Sequence, residues 1–173
     1  MPLCNTQSID IFVKDEKLND LKILHLSDLH IDKKTTVEKV QELVNLCETL
    51  TFDFVVITGD IIDTKVKFIK QQLEILNTLK TKVYYISGNH DLFYGLNDLK
   101  NELFNFVFMD NNCKEFIYKN ETIHISGLPD RFSKFFGIKR EEEKIKNFLK
   151  NSPSIFISHQ PKDYKIALES NTN

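Results

Sequence analysis

Four short clusters of acid, imidazole and amide side chains recur along this chain, each directly after an apolar run. They are Asp28-Leu29-His30, Gly59-Asp60-Ile61-Ile62-Asp63, Gly88-Asn89-His90-Asp91 and Ser158-His159. Every donor is oxygen or nitrogen and none is a thiolate, which suits Mn²⁺, Fe or Zn²⁺ better than a structural zinc cluster. Two divalent ions roughly 3.5–4 Å apart usually need a shared carboxylate, and Asp60 is the natural choice. Asp28 and His30, two apart, can point to the same side of an extended segment. Gly59 and Gly88 let the backbone bend and approach an ion without a side chain in the way. A lone Asp or His at a strand end is usually a cap or turn former. Five would-be ligands in one ordered set (Asp28, His30, Asp60, Asn89 and His159) argue against that reading.

The elements that must position these clusters alternate. Residues 22–27, 53–57 and 82–87 read as short apolar strands, each ending at a cluster. Between them, residues 36–50 place Val37, Val40, Val44 and Cys47 on one helical face, widened by Leu43 and Leu46. Residues 67–80 are also helical in period. Thr35 and Glu38 have the spacing of a capping box for the first helix. Strand–helix–strand units with crossovers this long imply a parallel sheet with right-handed connections. In open sheets of this kind, ligands bind beyond the carboxyl ends of the strands, where all four clusters fall.

Beyond residue 105 the texture changes. Residues 114–119 and 122–126 read as antiparallel strands joined by a tight turn at Asn120-Glu121. A charged helix (138–150), with the acidic run at 141–144 on its solvated face, leads to a last strand at 154–158. Phe104, Phe106 and Phe108 have strand periodicity. Phe132, Phe135 and Phe136 form a second apolar cluster near Arg131, expected in core or loop packing; exposed, it would present a surface to an acyl chain or a membrane. The whole is expected to be one α/β domain over residues 1–173, with mixed β-sheets flanked by helices.

The bulk numbers narrow the partners. Of 173 residues, 41% are hydrophobic and 28% charged, the balance of an ordinary globular domain. A net charge of −2 gives no global attraction to nucleic acid or an anionic membrane. Arg131 and Arg140 are the only arginines, so few bidentate phosphate grips are available. Cys4, Cys47 and Cys113 are sparse and unpaired by motif, which points to a reducing compartment and to Cys47 and Cys113 as buried small hydrophobes. No apolar run has the length of a membrane span, and the N-terminus has no signal-peptide pattern, so the cytoplasm is expected for the chain as it stands.

In order and spacing, the motifs DLH, GDIID, GNHD and SHQP resemble the signature of the calcineurin-like metallophosphoesterase superfamily. There are 28 residues between His30 and Gly59 and 24 between Asp63 and Gly88. The likeness runs from about residue 20 to about 161, and the segment before the first motif and the SHQP ending resemble bacterial members often tethered to membranes. The resemblance implies a metallophosphoesterase fold and two divalent metal ions. Asp28 and His30 would hold one ion, Asn89 and His159 the other, and Asp60 both. His90 would act beside the leaving group, oriented by Asp63. A metal-bridging hydroxide would attack phosphorus in a phosphodiester or pyrophosphate substrate, small or lipid-linked.

Two departures from the family pattern shape the expectation. Members usually supply two more histidines from a late Gly-His-x-His motif, yet 14 residues follow His159 and none is histidine. The chain is therefore expected to be an N-terminal portion, with the closing strands of its second sheet missing and with doubtful activity on its own. Thr64 stands where protein serine/threonine phosphatases of the superfamily carry Arg, which argues against a phosphoprotein substrate. The rival readings are a nuclease of the same superfamily, disfavoured by the scarce Arg and low charge, and a truncated non-catalytic binding module. A membrane surface stays open as a partner, through an anchor upstream if there is one. His25 and His124 are expected to pack within strands, Asp32 to form a turn, and Asp91 to support the His90 loop or cap the helix after it.

Overall fold

The computed structural model describes residues 7–11, 16–151 and 153–170. Four strands, β1 (Ile23–Leu26), β2 (Phe54–Ile57), β3 (Val83–Tyr85) and β4 (Val107–Phe108), form a parallel sheet in that spatial order. The connections carry α1 (Val37–Thr49), α2 (Lys70–Leu76), α3 (Asn89–Tyr94) and α4 (Leu96–Glu102). A second sheet follows: β5 (Asn112–Tyr118) pairs antiparallel with β6 (Glu121–Gly127), and β6 pairs parallel with β7 (Ser154–Ile157). A 3₁₀ segment (Arg131–Phe136) and α5 (Glu142–Leu149) lie between β6 and β7, and α6 (Tyr164–Ser170) comes last.

Period-two alternation sorts β2 between two cores. Val55 and Ile57 pack with Val40, Val44 and Leu73 of the covering helices, while Phe54 and Val56 face Tyr84, Ile86, Ile123 and Ile157 between the sheets. A third cluster, Leu128, Ile145, Leu149 and Ile166, seals the outer helices onto the second sheet. The layering is helix, sheet, sheet, helix, the expected α/β architecture of mixed sheets flanked by helices. Cys47 is buried in the first cluster and Cys113 packs against the third. Cys4 lies outside the described residues.

Several local expectations shift. Thr36, not Thr35, caps α1: its side chain accepts from the Lys39 N–H at 3.4 Å. Thr35 is buried one residue earlier, its N–H and hydroxyl both donating to Asp32 Oδ1 at 2.9 Å, so Asp32 is the expected turn former. The 67–80 helix is broken into a 3₁₀ turn (Val66–Phe68) and α2, and ends where the Asn77 amide turns to the Glu102 carbonyl. The hairpin turn falls at Lys119-Asn120, both left-handed (φ 47° and 66°), the geometry that matches strand twist. Of the three spaced phenylalanines, Phe106 is buried, Phe104 is exposed, and only Phe108 belongs to a strand. The Phe132–Phe136 cluster, expected in core or loop packing with exposure as the alternative, lies on the surface. The predicted 138–150 helix starts at Glu142, because Ile138 folds back onto Ser133 past a left-handed Gly137.

Candidate metal centre

The first two clusters extend the β1–β2 pairing beyond the sheet. The Asp28 N–H donates to the Gly59 carbonyl (3.1 Å), His30 N–H to Asp60 O (2.9 Å), and Asp63 N–H to Ile31 O (2.9 Å), with an isolated bridge between Ile31 and Ile62. Asp28, His30 and Asp60 are all left-handed (φ 54°, 45° and 54°), a conformation costing about 1–3 kcal/mol each outside glycine. The cross-loop bonds hold that strain, which turns the chain sharply enough to gather side chains from neighbouring strand ends into one place.

Asp60 is the centre of the group. It is buried, and its Oδ2 lies 3.8 Å from His30 Nε2 and 3.6 Å from His159 Nε2. His30 Nε2 also stands 3.8 Å from Asp28 Oδ1. The other Asp60 oxygen, Oδ1, accepts the His90 backbone N–H at 2.9 Å. A side chain at Gly88 would fill this cradle, since a Cβ there would sit 2.1 Å from Asp60 Oδ1. At Gly59 (φ 95°) a Cβ would meet the Gly88 backbone at 2.5 Å and His159 Nδ1 at 2.9 Å. Both glycines are required by close approach, and the first also by its left-handed backbone.

Two of the three imidazoles are oriented by their other nitrogen, while His30 Nδ1 is buried without a hydrogen-bond partner among the described residues. His159 Nδ1–H donates to the Thr58 carbonyl at 2.6 Å, leaving the Nε2 lone pair on the Asp60 side. His90 Nδ1 lies 2.8 Å from Asp63 Oδ1, and Tyr94 also bonds to Asp63; desolvation, and then the Asp63 charge, raises the phenol's pKa. The His30 and His90 rings meet edge to face with centroids 4.6 Å apart. Two sets of side chains could thus hold metal ions: Asp28, Asp60 and His159, and beside them His30, Asp63 and His90. Asn89, half-buried, opens α3 between Gly88 and His90. Among the described residues, Asp28, Asp60 and Asp63 form ion pairs with histidines alone, so three clustered carboxylates lack a Lys or Arg counter-charge. That oxygen and nitrogen donor set fits divalent cations.

Asp91 serves both roles expected of it. It is fully buried, and one oxygen accepts the Ile61 and Ile62 N–H groups (2.8 and 3.1 Å) while the other accepts Gly88 N–H (3.0 Å). It therefore caps α3 and ties the GDIID loop to the GNHD loop. Burial pushes its carboxyl up to about 7; the backbone donors pull it down, and the charge on Asp60 adds to the rise.

Sequence reasoning missed Thr58 and Ser27. Thr58 Oγ1 lies 2.8 Å from His25 Nε2 and donates to Ser27 Oγ at 3.0 Å, and Ser27 in turn donates to Asp28 Oδ2. His25 is thus linked to Asp28 through two hydroxyls; the residue is exposed, but partial desolvation of the ring, against the pull of the Asp28 charge, holds its pKa below the usual range. The only hint in the sequence was the hydroxyl residue beside each of the first two clusters. His124 stays within its strand, as expected, its ring against Phe148.

Among known proteins, the sequence profile described as calcineurin-like phosphoesterase matches residues 21–171, nearly the whole chain. The chain belongs to the calcineurin-like phosphoesterase family. An uncharacterized metallophosphoesterase of Campylobacter jejuni is 30% identical over 96% of this chain and 47% of its own length. One from Helicobacter pylori is 27% identical over 91% of this chain and 43% of its own. A zebrafish transmembrane protein with a metallophosphoesterase domain is 29% identical over 89% of this chain and 38% of its own. The chain thus spans less than half the length of these relatives. The NAD nucleotidase of Haemophilus influenzae shares the fold, with a TM-score of 0.64 at 20% identity over 85% of this chain and 36% of that one. No helix among the described residues is long and apolar enough to cross a membrane.

Proposed function

We propose that this phosphoesterase chain carries the metal-binding and acid–base residues of a divalent-metal-dependent phosphohydrolase. Its substrate would be a phosphodiester or pyrophosphate, on a small or lipid-linked molecule. The observation that carries the reading is the position of Asp60 Oδ2, 3.8 Å from His30 Nε2 and 3.6 Å from His159 Nε2, which suits a carboxylate shared by two ions. Asp28 and His30 would hold one ion, Asn89 and His159 the other, and Asp60 both, although the donor atoms as they stand group His159 with Asp28 and Asp60, and His30 with Asp63 and His90; manganese, iron or zinc is compatible with the donors. When bound, divalent ions supply Lewis acidity, acidifying water and neutralising charge on the phosphoryl oxygens.

The chain's own groups do the rest. Asp63 accepts from the Nδ1 side of His90, so Nε2 faces the substrate, and in the imidazolium form its N–H would give a proton to the departing oxygen, leaving the neutral ring with Nδ1–H on Asp63. Thr58 and Asp91 keep His159 and the two central loops in register. Thr64 is buried and neutral, which supports a diester or anhydride over a phosphoprotein. Both arginines are engaged with Asp163, which counts against nucleic acid as the substrate.

The test uses the purified chain, Mn²⁺ and bis(p-nitrophenyl) phosphate, with metal binding followed by calorimetry alongside turnover. The wild type is expected to bind Mn²⁺ and to release nitrophenol slowly at most, and Asp60→Asn to lose the binding and any turnover. Absence of Mn²⁺ binding by the wild type, or equal turnover by Asp60→Asn, would overturn the assignment.

A further inference from the structure

The 3₁₀ segment Arg131–Phe136 packs beside α3, the helix that opens with Asn89 and His90. Its apolar side chains turn outward: Phe132 is 50% exposed, Phe135 71% and Phe136 45%, and Phe93, near the far end of α3, is 71% exposed. Leu92, Leu96, Phe136 and Ile138 continue this face into a shallow groove of about 290 Å³, with Asp98 also in its wall. Single exposed apolar residues are ordinary, but four phenylalanines on two touching elements are not.

Within the segment itself the charges are of one sign, although Asp98 lines the groove and Asp130 and Glu141 flank the segment. Residues 131–140 contain Arg131, Lys134, Lys139 and Arg140 and no acid. Arg131 and Arg140 are committed to the fold, both reaching the buried carboxylate of Asp163 (2.6 and 3.0 Å). Lys134 and Lys139 are exposed and have no ion-pair partner among the described residues, and Lys134 Nζ sits 5.0 Å from the Phe135 ring centroid. Aromatic rings flanked by unpaired lysines match the boundary between acyl chains and anionic headgroups, where the rings insert and the ammonium groups stay among phosphates.

We infer that Phe93, Phe132, Phe135 and Phe136, with Lys134 and Lys139, seat the protein on the surface of an anionic phospholipid bilayer. The segment is rigid enough for this. Asp130 caps it through the Phe132 N–H (2.7 Å), the Ser133 hydroxyl holds the Ile138 carbonyl (3.1 Å), and Arg131 is fixed on Asp163. Asp163 also accepts the Ser158 hydroxyl at 2.8 Å, directly before His159, so docking at this face sets the orientation of the candidate metal centre. The inference goes beyond the proposed hydrolysis and does not depend on it.

The test is co-sedimentation of the purified chain with vesicles of phosphatidylcholine alone or phosphatidylcholine with phosphatidylserine. EDTA is present, so that hydrolysis plays no part. Binding is expected only to the anionic vesicles, weakening as salt rises. Lys134→Glu with Lys139→Glu, and Phe132→Ser with Phe135→Ser, are each expected to lower the partition coefficient at least about tenfold. Phe104→Ser, an exposed ring elsewhere, should leave it unchanged, and thermal unfolding should show every variant folded. No binding to anionic vesicles, equal binding to neutral ones, or binding indifferent to the patch variants overturns the inference. So does self-association in sedimentation velocity, abolished by the phenylalanine pair, in a protein that ignores vesicles, since a second copy would then be the occupant.

Discussion

The Nδ1 atom of His90 lies 2.8 Å from Oδ1 of Asp63, across 27 residues of sequence. The carboxylate engages Nδ1 and leaves Nε2 facing the substrate, where the imidazolium form carries the proton to be given up. His90→Ala should lower kcat by about 10²–10⁴, the usual loss on removing a general acid. Asp63→Asn should lower it by a smaller factor, because the ring remains but is no longer held by a charge. Steady-state kinetics with Mn²⁺ titrations would check both, the titrations separating a lost proton donor from a lost ligand, because His90 also stands in one of the two metal-capable sets.

Asp91→Ala should be the more damaging change to the fold. It strands the buried N–H groups of Ile61, Ile62 and Gly88 and cuts the tie between two loops that supply candidate ligands. An unpaired buried donor costs about 1–3 kcal/mol, so a total loss of at least about 3 kcal/mol is expected in urea unfolding. Asp91→Asn keeps an acceptor in place and should lose less than half as much.

Gly88→Ala should abolish metal binding. Its Cβ would lie 2.1 Å from Asp60 Oδ1 and 2.4 Å from Asp60 N, so the central carboxylate must leave its position. Calorimetry should show at least a roughly hundredfold weaker Mn²⁺ affinity, together with a stability loss of about 1–3 kcal/mol from overpacking.

Asp110 predicts a pH dependence. Half-buried, and bonded to the N–H and hydroxyl of Ser87, its carboxyl is pushed up to about 6 by desolvation, against an ordinary value of 3.8. Between those values the folded protein holds this proton and the unfolded chain releases it. The contribution of Asp110 to stability therefore falls as pH rises from about 4 to 6, and levels off above. In Asp110→Asn this part of the fall should vanish, while the part due to Asp91 remains. The stability difference between the two proteins should change by about 3 kcal/mol over that interval, measured by denaturant unfolding in EDTA.

The chain sequence alone determined the candidate ligands and the layer that carries them. Each cluster directly follows an apolar strand, so residue type, spacing and strand end are all local properties of the chain. Parallel pairing followed from the length of the crossovers, and the hairpin from turn residues adjacent in sequence. Tertiary structure decided what rests on distant contacts. Thr58 meets His159 from 101 residues away, and Asp91 meets Ile61 from 30 away. Neither pairing leaves a periodic or compositional mark. The left-handed backbone at Asp28, His30 and Asp60 exists only because bonds between neighbouring loops hold it there. The Phe132–Phe136 cluster went the same way. An apolar run looks alike whether it packs inward or faces solvent, and here Asp163 and Ser133 fix its backbone so that the rings point out.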